Sequence, residues 1–160
     1  MNTREYYVET FKSEKPRFLR VLQAVPAGKA AYRPHEKSTS AGGLVWLLAS
    51  ELGDACSLLD HGELNYTPKP EPSVGEAVAA YERNAAELEK RLGRLDDAAW
   101  GKKARFLVEG KVHWETTLGD MLWGFLFDAI HHRGQLSTYL RPMGAKVPSI
   151  YGPSADDPGM

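Results

Sequence analysis

A single cysteine, Cys56, stands in the whole chain, so no internal disulfide can form. It lies inside a helical apolar pattern, with neither a histidine nor a helix N-terminus beside it to activate a thiolate. It is therefore expected to be a small buried hydrophobe. Excess charge of either sign is also lacking. Lys and Arg number 20 against 21 Asp and Glu, a formal net charge of −1, and no basic cluster interrupts that balance. This argues against a nucleic-acid partner, which would call for a basic face. No run approaches 18 apolar residues, and the opening MNTREYYVETFKSEKPR carries no apolar signal core. Neither a membrane partner nor a secretory leader is expected, and a reducing cytoplasm is the expected location.

What is present suits one globular domain over residues 1–160, with 42% hydrophobic and 26% charged residues. Four helical segments can be read. The first runs from about Thr3, a plausible N-cap, to Val25, with Tyr7, Phe11, Phe18, Leu22 and Val25 on one stripe. Pro16 inside it is expected to kink or split the helix. The second starts near Ser38 or Ser40, carries Leu44, Leu47, Leu48, Leu52, Ala55, Leu58 and Leu59 on its core face, and stops at Gly62. The proline-rich GELNYTPKPEPS that follows cannot be helical, and it is long enough to let the chain cross the bundle.

Ser73 and Glu76 form a capping box that opens the third helix, whose Val78, Tyr81, Ala85, Leu88, Leu92 and Leu95 keep helical spacing. Residues 96–116 are mixed, and RFLVEGKVHWE suits either a short hairpin or an extended connection. The fourth helix starts at Thr117 and ends near Arg141, and its LGDMLWGFLFDAI half is apolar nearly all round. Four long helices without a convincing sheet predict an all-α four-helix bundle with a long crossover connection.

Chemistry, if any, is expected on the fourth helix. Asp128, His132 and Gln135 fall at i, i+4 and i+7 and share one face, while His131 lies about 100° round the helix from His132. An Asp and a His one turn apart can ligate one divalent ion, and Glu51 on the second helix, just beyond Trp46, Leu47 and Leu48, is the candidate third ligand. The blander reading is that Asp128 simply holds His132 by a hydrogen bond. His35, His61 and His113 are expected at the surface.

The segments DAIHHRGQLSTYLRPMG and VPSIYGPSADDP, with His132-Arg133-Gly134-Gln135 as the most specific piece and Tyr139-Leu140-Arg141 after it, resemble the C-terminal part of the DinB/YfiT-like superfamily. The helix order and KSTSAGGLVWLLASE agree, so the resemblance covers nearly the whole chain. It implies a bundle of crossed topology, commonly a homodimer. It also implies a three-histidine site for a divalent metal such as nickel or zinc, and thiol-transferase or metal-dependent hydrolase activity in some relatives. Here the family's first histidine falls on Leu47 and its second on Asp128, and only His132 is retained. Leucine cannot ligate. Either the metal is lost, or the site is rebuilt from Glu51, Asp128 and His132, a harder ligand set. Arg133 is expected in a surface ion pair, Gly134 at a close helix approach, and Gln135 as a residue that orients His132. Three readings stay open: a metal-dependent enzyme, a metal-free module that binds a small ligand, and a structural homodimer.

Overall fold

Asn2, rather than Thr3, caps the first helix. Its side chain accepts from the Glu5 amide at 2.9 Å while the Glu5 carboxylate accepts from the Asn2 amide at 2.9 Å, which closes a capping box. The computed structural model describes residues 1–159; Met160, the last residue of the expected single domain, lies outside them. Helix α1 spans Thr3–Gln23 and runs unbroken through Pro16. Helix α2 (Ala41–His61) is capped by Ser40, whose hydroxyl accepts from the Gly43 amide at 3.0 Å, and ends at Gly62 in a left-handed conformation with φ +70°. Helix α3 (Val74–Leu92) has the Ser73–Glu76 capping box, α4 is a single turn (Asp97–Trp100), and α5 (Leu118–Leu140) is capped by Thr117.

The four long helices form a ring in which α1 and α2 both pack against α3 and α5, so α1 and α2 stand diagonally opposite each other. Crossing therefore takes place between α1 and α2, and again between α3 and α5. It does not take place at GELNYTPKPEPS, which joins α2 to its closest-packed neighbour, α3. By length and composition α2 is apolar enough to cross a bilayer, but half of its most apolar stretch is buried inside the fold. Leu44, Val45, Leu48 and Leu58 there meet Leu88, Leu122 and Leu136 in one core.

The all-α expectation needs correction, because the connections carry a three-stranded sheet. Strand β1 (Glu63–Tyr66) lies parallel to β2 (Lys103–Val108), which pairs antiparallel with β3 (Lys111–Thr117). Glu109 and Gly110, with φ +51° and +75°, make the two-residue turn that suits a twisted hairpin. Ala104 and Leu64 anchor the sheet in the core, and one face of it covers α5.

Candidate functional site

The sheet and α5 together build one side of a cleft of about 640 Å³. Tyr66 of β1, Phe106 of β2, Phe125 of α5 and Trp114 of β3 follow one another as an aromatic wall, with ring centroids 6.2, 6.1 and 6.5 Å apart. Gly124 permits this approach: a Cβ there would fall 2.4 Å from the Trp114 ring. Across the cleft stand Trp46 and Leu47 of α2, and the Trp46 indole N–H donates to the Lys69 carbonyl at 3.3 Å. None of the wall residues on the sheet was identified from the sequence. The available signals were the weak alternation in RFLVEGKVHWE and a glycine in the middle of an apolar helix.

Glu51 and Asp128 meet in this cleft. Burial first, then the charge of the facing Asp128 carboxylate, then Asp54, push the Glu51 carboxyl up to about 9. Facing acids of which one is buried do not readily both ionise. Glu51 therefore stays protonated at neutral pH. Its Oε2 is buried and accepts no hydrogen bond from any donor among the described residues.

On its other side Asp128 faces His132, with Oδ2 3.4 Å from Nε2. The imidazole is set by a chain of bonds with one possible direction. The Tyr139 hydroxyl donates to the Thr39 carbonyl at 3.3 Å, so it accepts from Gln135 Nε2 at 3.2 Å. That turns Gln135 Oε1 toward His132 Nδ1 at 3.0 Å, which must carry a proton. In the neutral ring Nε2 is then the bare nitrogen, aimed at Asp128. His131 is exposed, its ring 5.1 Å from that of His132.

Asp128 is thus the hinge of a Glu51–Asp128–His132 row. His132 itself does not line the cleft, and Leu47, where the family's first histidine would stand, does. Among the described residues no group of three or more His, Cys, Asp or Glu side chains is placed to hold a metal ion. The donors present are therefore not a formed ligand set, and an ion would have to displace the Glu51 proton.

Two readings of the HRGQ block need correction. Arg133 is not in a surface ion pair: it is 2% exposed, ion-paired with Glu14 of α1, 2.6 Å from the Tyr151 hydroxyl, and stacked 4.6 Å over the Phe18 ring. The Tyr151 hydroxyl in turn donates to Glu14 at 2.9 Å. Gly134 makes no close approach, since a Cβ there would meet nothing within 4 Å. Cys56 is buried, and His35, His61 and His113 are exposed.

The sequence model of the DinB family matches residues 1–159. The chain belongs to the DinB family. Its fold is similar to that of a DinB-like protein from Bacillus cereus, with a TM-score of 0.77 at 17% identity over 92% of this chain and 97% of that one. YfiT from Bacillus subtilis, described as a probable metal-dependent hydrolase with an unusual four-helix bundle topology, aligns with a TM-score of 0.70 at 11% identity, covering 89% of each chain. A mycothiol-dependent maleylpyruvate isomerase aligns with a TM-score of 0.63 at 12% identity, over 92% of this chain and 63% of the isomerase. At these identities the likeness is one of fold. No curated protein matches the DinB-family chain in sequence.

Proposed function

We propose that this DinB-family protein binds a small organic molecule in the cleft between α2, α5 and the sheet, without a resident metal. One observation carries this reading: Leu47 lines the cleft where the family's first histidine would stand, and the Glu51 carboxyl one turn beyond it holds its own proton at neutral pH. A cleft of about 640 Å³ lined by aromatic side chains with a few convergent polar groups is the usual form of a small-molecule site. Within it the Glu51 carboxyl is a proton donor held ready at neutral pH, and Asp128 is the matching acceptor. Thermal-shift screening of a metabolite library tests the proposal. Hits should lose their shift in Leu47→Trp, which fills the cleft, and hits unaffected by that change would place the ligand elsewhere.

A second reading keeps the divalent metal, with Glu51, Asp128 and His132 as ligands. It is favoured by the bare Nε2 that the Gln135–Tyr139–Thr39 chain enforces, as a metal-bound imidazole requires. A bound nickel or zinc would supply an activated water for hydrolase-type chemistry, or hold a thiol for transfer. Elemental analysis decides between the two: stoichiometric metal that is lost in His132→Ala would replace the first reading.

The assembly we propose is a homodimer. Tyr6 and Phe127 are 56% and 62% exposed, and both rings pack against Trp123, at 5.6 and 5.5 Å. A continuous aromatic patch across α1 and α5 suits a second copy of the same patch.

A further inference from the structure

We infer that the ligand of the cleft is a hydrophobic organic cation, a primary amine carried on an aromatic or alkyl body. The inference rests on the cleft being a small-molecule site and goes on to name the class of molecule it takes. Its carboxylates are Glu51, Asp54, Glu71 and Asp128, against one cation, Lys69. Lys69 is already committed, its Nζ 2.6 Å from Asp54. The Glu71 carboxylate lies beside Gly42 and Gly43 in the first turn of α2, where the helix dipole is positive. Asp128 differs from both. Among the described residues its one ionic partner is His132, and no Lys or Arg reaches it. Beside it the buried Glu51 oxygen has no donor at all.

An ammonium group between Asp128 and Glu51 would donate to both, supplying the hydrogen bonds that Glu51 lacks and the countercharge that Asp128 lacks. The walls fit the remainder of such a molecule. Trp46 and Trp114 both line the cleft, and an indole is the ring that best stabilises a cation, while Phe106 and Phe125 suit an apolar body. An anionic ligand would meet four acidic side chains with no uncommitted base. A neutral one would bring Asp128 no countercharge.

The test is calorimetric titration of the full-length protein at pH 7 with three matched series. These are amines (phenethylamine, tryptamine, octylamine), the corresponding alcohols, and the corresponding carboxylates. At least one amine should bind at least tenfold more tightly than its alcohol, and every carboxylate more weakly than the alcohol. Asp128→Asn should weaken the amine at least tenfold and leave the alcohol within twofold. Asp128 is half-exposed, so that variant should keep the fold, and an unchanged circular dichroism spectrum checks it. Alcohols or carboxylates that bind as tightly as the amines would overturn the cation inference while leaving the cleft a ligand site. Amine binding indifferent to both Asp128→Asn and Glu51→Gln would overturn it as well. If no member of any series binds at millimolar concentration, the cation inference and the small-molecule reading both fail.

Discussion

At the scale of single residues, Glu51 carries the largest consequence. Its carboxyl is held near 9 in the folded protein and returns to the ordinary carboxylate range when the chain unfolds. Between those values the native state binds one more proton than the unfolded state. The protein therefore loses stability as pH rises from about 5 to about 9, by about 1.4 kcal/mol per pH unit at most, and levels off above that. Urea unfolding at pH 6, 7.5 and 9 should show this slope, and Glu51→Gln should flatten it. A slope unchanged in the variant would mean that another group carries the proton. Gly134 makes the opposite kind of case. It sits exposed in the middle of α5 with open space where a Cβ would go, so Gly134→Ala should raise stability by about 1 kcal/mol, read as a higher urea midpoint. A lower midpoint would show that the HRGQ glycine has a packing duty after all. The sequence reading puts Arg133 at the surface and Gly134 at a close helix approach, and the structure reverses both, because neither a charge nor a glycine in a helix carries a burial signal of its own. Only the fold, by bringing Glu14 and Tyr151 to the guanidinium, makes burial of that charge tolerable.

At the scale of elements, the helices were legible and the sheet was not, for a physical reason. Long amphipathic helices repeat their pattern over five or more turns, and their caps are chemical signatures that Ser40, Ser73 and Thr117 display. Strand β1 has four residues, and β3 leaves nearly all of its side chains partly in water, so alternation had too little length and contrast to register. That gap matters for function, because three of the four aromatic wall residues stand on the sheet. Glu51 and Asp128 were legible as candidates from their place after apolar runs; the raised pKa of Glu51 was not, since it depends on burial and on the approach of α5 to α2. The contact of the hairpin with α5 can be measured through Gly124. Gly124→Ala alone should cost about 1–3 kcal/mol by driving a methyl into Trp114. Placed on Trp114→Ala, the same change should cost nothing or gain slightly, since Ala is the better helix former. Equal costs in the two backgrounds would mean that the ring does not rest on the glycine.

At the scale of the whole molecule, the aromatic patch of Tyr6, Trp123 and Phe127 has the next consequence. Light scattering at tens of micromolar should give twice the chain mass, and Phe127→Glu should reduce it to the monomer without loss of helical signal. A wild-type monomer at that concentration would leave the patch without its proposed partner.

The buried pair of Arg133 and Glu14, with the exposed Tyr151 laid over it, bears on how the molecule is made. Glu14 and Tyr151 are 137 residues apart, and the phenol follows all four long helices in the chain. A ribosome that has delivered the chain as far as Met143 has already produced all four long helices. The guanidinium in their midst then has its carboxylate but neither the hydroxyl that accepts from Nη2 nor the ring that covers it. Closure of the bundle therefore waits on the segment that carries Tyr151. A nascent chain stalled before residue 151 should remain open to protease at α1 and α5, and extension past Tyr151 should close it.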